Sequence, residues 1–171
     1  MISYSELVLR RVAYGTVADA FWLLGYVILL SGLALLIADL RKNIQTSYRM
    51  HVLLLIFAFL ILFFPLLWSL TADSQRRLEW RILDLAYPAL GYALTGLSLI
   101  LYLMSRTSGK SNLAGAALLL CVSFPLTIVA DLLFAYHTDF NSYLYRVVDI
   151  FYFAAYFLFV LAGDRVSQHE I

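Results

Sequence analysis

Four aspartates stand out because of where they fall in a mostly apolar chain. Asp19, Asp84 and Asp149 recur at intervals of 65 residues, and Asp131 lies between Ala130 and Leu132 inside a long apolar run. An ionisable side chain at the centre of a helix in lipid costs about 2.5–3.5 kcal/mol on translocon-based scales. Arg81 and Arg146 precede Asp84 and Asp149 by three residues, so each pair shares one helix face. Three residues after each repeated aspartate comes a ring: Trp22, Tyr87 and Tyr152. The pattern describes a charged rim above an aromatic layer, with Asp131 as its deepest acid. One reading is structural: an aspartate near a helix N-terminus is favoured by the helix dipole, and rings and ion pairs gather at the membrane surface. The other is a ligand or proton site built from these nine residues. The dipole does not favour Asp131, which falls near the C-terminal end of its run. The partners within its reach are Arg81 and Arg146, or a wetted pocket lined by Tyr87, Tyr152 or Trp22.

The elements that must position these groups follow from composition. Of 171 residues, 63% are hydrophobic and 13% charged, with a net charge of +1 and a mean hydropathy of +0.86. A soluble domain averages about 45–50% apolar and about 25% charged residues. The sequence therefore describes an integral membrane protein and excludes a disordered chain, a secreted disulfide scaffold and a nucleic-acid binder. Five apolar runs approach the roughly 20 residues that cross about 30 Å of hydrocarbon: 21–38, 51–70, 82–104, 113–136 and 147–162. Each is expected to be helical, because a lone strand would leave its backbone unpaired in lipid. Residues 1–18 read as a tail or interfacial helix, with Ser3 and Glu6 spaced as a capping box. A cleaved signal peptide is not expected, because the first run is long and lacks a small-residue cleavage site. The connections are short, so the expected fold is all-α: one polytopic membrane domain over 1–171, a bundle of five transmembrane helices.

The aspartate spacing also suggests an internal repeat. Phe64-Pro-Leu66 with Asp73 and Phe124-Pro-Leu126 with Asp131 echo one another in the even-numbered runs. The unit would be a two-helix hairpin present about 2.5 times, in parallel copies. Lysines and arginines divide six to six between the two sides, so the positive-inside count is tied. Loops one and three carry basic residues with only Asp39 among them, which favours an outside N-terminus and a cytoplasmic C-terminus in the cell membrane.

Other chemistry is sparse. His51, His137 and His169 are too dispersed to share a metal, and no cofactor is expected. Cys121 reads as a small apolar filler. Ser98, Ser123 and Thr127 are expected to bond to the preceding turn of their own helices. Pro65, Pro88 and Pro125 each lie inside a run and are expected to kink it. Gly25, Gly32, Gly91, Gly96 and Gly115 would allow close helix approach.

The segments Ala130-Asp-Leu-Leu-Phe-Ala-Tyr136 and Val148-Asp-Ile-Phe-Tyr-Phe-Ala-Ala-Tyr156 resemble the end of a multi-span membrane module. That module stands at the N-terminus of many bacterial and archaeal sensor histidine kinases and diguanylate cyclases. Leu83-Asp-Leu-Ala-Tyr-Pro88 and the stretch from Asp19 to Tyr26 resemble its earlier helices. The resemblance covers residues 15 to 162 and implies a sensory or scaffolding role without an established ligand. The chain departs from the pattern by lacking an effector domain. The expected function is thus a non-enzymatic scaffold or sensory module for signalling, held in the lipid bilayer and acting through a protein partner or as a homo-oligomer. The alternatives are a small transporter or ion- or proton-conducting bundle around Asp131, and a metal-dependent lipid enzyme. No histidine sits beside the acids to support the last.

Overall fold

A computed structural model of the protein describes residues 17–41, 78–136 and 142–167. These form four α-helices: α1 (Val17–Arg41), α2 (Leu78–Thr107), α3 (Ser111–Tyr136) and α4 (Ser142–Ser167). Each contains a segment long and apolar enough to cross a membrane: Asp19–Leu40, Leu85–Thr107, Ser111–Leu133 and Arg146–Ser167. At 1.5 Å per residue, 22 or 23 residues span about 33 Å, the thickness of the hydrocarbon core. The chain is a helical membrane protein.

The expected five-helix bundle is corrected to four helices among the described residues. The second run, 51–70, lies outside them, as do Pro65, the three histidines and most of the N-terminal tail. The count of five rested on apolar length, which licenses a crossing but does not by itself set the number of helices. The repeated two-helix hairpin is withdrawn with it, because its first copy was to close through 51–70.

The helix backbones pack in chain order, α1 on α2, α2 on α3 and α3 on α4. Leu33 and Leu40 of α1, Leu94, Leu101 and Met104 of α2, and Ala117 and Phe124 of α3 form one buried core, with Phe159 of α4 packed against it. Phe124 meets Phe159 edge to face at a centroid distance of 5.0 Å, a favoured aromatic geometry. Burial is uneven: 44% of the α3 span is covered by protein but only 6% of the α1 span. The central helices thus carry the packing, and α1 lies against them.

Two glycines set close approaches. A Cβ on Gly91 would stand 2.8 Å from Ile128 Cγ1, so α2 reaches α3 only because that position has no side chain. Gly115, near the start of α3, lies under the Arg165 guanidinium from the end of α4. Gly25, Gly32 and Gly96 face open space and make no such contact. Pro88 and Pro125 sit inside α2 and α3, which run unbroken through them.

The α2–α3 turn is tight. Gly109 takes a φ of +72°, and the Lys110 amide donates to the Ser105 carbonyl at 3.0 Å. This is the Schellman closure, in which a left-handed glycine lets the chain cap its own helix. The Lys110 carbonyl then accepts the Ala114 amide at 3.0 Å, opening α3.

Candidate functional site

The polar groups gather at one end of the bundle, at the starts of α1, α2 and α4 and the end of α3. Tyr87 Oη donates to Asp19 Oδ1 at 2.7 Å, joining α2 to α1. Tyr152 Oη donates to Asp131 Oδ1 at 2.5 Å, joining α4 to α3. Three helices therefore leave this end and α3 returns to it.

The rings form two sets beside the two bonds. Trp22 stacks on Tyr156 at 5.9 Å and 12°, and Tyr156 on Tyr152 at 6.1 Å and 13°. Tyr26 lies tilted against Tyr87 at 6.1 Å and 55°. The α1 and α4 backbones do not meet, so the Trp22–Tyr156 stack bridges a gap between them. Tyr26 also crosses from α1 to face Thr127 and Asp131 on α3. Helical spacing explains the arrangement: Trp22 and Tyr26, like Tyr152 and Tyr156, are four residues apart and share a face.

Asp131 is the most enclosed acid of the group. Its Oδ1 accepts from Tyr152, while Oδ2 is buried with no hydrogen-bond partner among the described residues. Tyr26 from α1, Tyr87 from α2, and Tyr152 and Tyr156 from α4 face it. Burying a carboxylate is costly unless it is paired and hydrogen-bonded, and here the groups around it among the described residues are hydroxyls and rings.

Of the nine residues singled out in the sequence, Asp131, Tyr152, Asp19, Tyr87 and Trp22 come together here. Arg146 and Asp149 are exposed at the start of α4. Arg81 and Asp84 lie in the first two turns of α2, and their side chains fall outside the described residues. Sequence reasoning left Tyr26 and Tyr156 out of the site. Both stand seven residues after a repeated aspartate, a spacing that puts each ring about two turns below its rim.

The buried hydroxyls behave differently from one another. Thr127 Oγ1 donates to the Phe124 carbonyl of its own helix at 2.7 Å, as expected. Ser123 Oγ instead crosses to the Ala155 carbonyl of α4 at 2.8 Å. Ser98 Oγ is buried without a hydrogen-bond partner among the described residues, so it does not back-bond to its own turn. Cys121 is a free, half-buried thiol. Among the described residues no group of three or more His, Cys, Asp or Glu could hold a metal ion.

No protein-family model, curated relative or solved structure matches the chain.

Proposed function

We propose that the protein is a non-enzymatic membrane scaffold or sensory module that works through a partner chain. One observation carries this reading: its partly buried tyrosine–carboxylate bonds join neighbouring helices, Tyr87 to Asp19 and Tyr152 to Asp131. Groups spent on coupling helices transmit displacement of one helix to the next. A reactive site would instead turn them toward a substrate. The resemblance to sensor-kinase membrane modules agrees with this, as does the stripe of Ile150, Phe153, Phe157 and Val160 exposed along α4. Such a stripe suits lipid and a partner helix alike.

A photo-crosslinking residue at Val160, with the protein in its native membrane, tests the reading. A protein adduct is the expected product, and adducts with lipid alone would overturn it. A second reading, a proton- or ion-conducting bundle, is favoured by the buried Asp131 carboxylate. It predicts that proteoliposomes dissipate an ion gradient and that Asp131→Asn abolishes the flux.

The proposed orientation puts the α2–α3 turn and the end of α4 in the cytoplasm of a cell, with the tyrosine end outside. Arg165 lying over Gly115 supports the pairing of those two ends on one side. Reporters fused at Gly109 and Gly163 should both read as cytoplasmic.

A further inference from the structure

We propose that Oδ2 of Asp131 is the binding position of a single exchangeable proton, and that its occupancy sets how tightly Tyr26 ties α1 to α3. The argument begins with charge. A carboxylate enclosed at a helix crossing needs a positive charge beside it, and among the described residues the groups that face Asp131 are Tyr26, Tyr87, Tyr152 and Tyr156. Nearby Asp19 is also an acid, held by Tyr87, and Arg146 is exposed at the helix start.

Room then decides which positive charge fits. Oδ2 is fully buried, so nothing as large as a water molecule reaches it. A bare Mg²⁺ or Ca²⁺ needs about six oxygen ligands around it, and a hydrated cation or an ammonium group needs at least as much space as a water. A proton needs none. Binding forms one O–H bond on Oδ2 from a proton supplied by water at this end of the bundle, and release returns it there. Oδ1 keeps accepting from Tyr152 in both states. Without the proton, the carboxylate carries a full charge and calls on the second hydroxyl that faces it, Tyr26. With the proton, Tyr26 is left to Thr127, which it also faces.

The inference deepens the sensory reading by naming protons as the stimulus, and it rests on that reading only for its consequence. Infrared difference spectra of the protein in lipid bilayers, recorded against pH, test the site itself. The expected result is a pH-dependent carbonyl band of a non-aqueous carboxylic acid, kept in Asp164→Asn and lost in Asp131→Asn. Tyr152→Phe removes the donor to Oδ1 and should move that band to higher frequency. It decides the matter alone if Asp131→Asn does not fold. The proposal is overturned by the absence of any such band, by its persistence in Asp131→Asn, by an unmoved band in Tyr152→Phe, or by a response to sodium instead of pH. A crosslink at Val160 without the band would leave the sensory reading standing and remove the proton site. The band without a crosslink would do the reverse.

Discussion

Tyr87 and Asp19 are 68 residues apart in sequence, yet their side chains meet at 2.7 Å. Their bond is one polar tie between α1 and the rest of the bundle, beside the contacts of Tyr26 with Thr127 and Asp131 on α3 and the rings and aliphatic side chains packed around them. In a bilayer that leaves most of α1 uncovered by protein, one directional contact has much to do with how α1 is placed.

Tyr87→Phe should therefore loosen α1. Hydrogen bonds between membrane helices average about 0.6 kcal/mol and reach about 1.7 kcal/mol, so a loss of about 1 kcal/mol is expected. Denaturant-induced unfolding in mixed micelles measures it, and an unchanged midpoint would count against the bond.

Gly91→Val should destabilise more strongly. The new Cβ would lie 2.8 Å from Ile128 Cγ1, and overpacking of this kind costs about 1–3 kcal/mol. Gly96 faces open space on the same helix, so Gly96→Ala should be neutral or gain stability from better helix propensity. Comparing melting temperatures of the two variants checks the contrast.

Ser123→Ala removes the hydroxyl that reaches across to the Ala155 carbonyl. A drop of about 0.6 kcal/mol is expected, and amide hydrogen exchange around Ala155 should rise while that of α1 stays as it is. Faster exchange in α1 instead would place the contact elsewhere.

Gly109→Ala forces a side chain into the left-handed backbone of the α2–α3 turn. The strain is about 1–2 kcal/mol. Gly109→Asn should recover part of the loss, because asparagine tolerates this conformation better, and thermal unfolding of the pair tests the sign.

How much of this was readable beforehand depends on what each feature rests on. Four apolar runs became helices that extend a few residues beyond them, as in Ser142–Ser167 around 147–162, because a helical backbone does not stop where hydrocarbon ends. The depth of Asp131 was legible from its flanking alanine and leucine. Its partner was legible only as one of several, Tyr152 standing beside Arg81, Arg146, Tyr87 and Trp22. An arginine at a helix start can extend its charge into water, as exposed Arg146 does, whereas a tyrosine one or two turns down has only the interior to meet. Which tyrosine arrives depends on how the helices are rotated against each other, and the 3.6-residue period of one helix carries no information about its neighbour. Ser123 illustrates the same limit: its own turn and the facing Ala155 carbonyl are equally polar in sequence. The expected helix over 51–70 has a different standing, since it lies outside the described residues and apolar length was the argument for it.

The Tyr87–Asp19 bond also has a consequence for biogenesis. A ribosome adds about 5–20 residues per second, so Asp19 is made roughly 3–14 s before Tyr87 exists. During that interval α1 exists without the helix it packs on. Its acid must wait at the water-facing edge, where the start of α1 places it, until α2 brings the hydroxyl alongside. Moving Asp19 one turn deeper would leave the finished contact within reach of a shifted tyrosine but would strand the nascent helix. Insertion, before stability, sets how deep that carboxylate can lie.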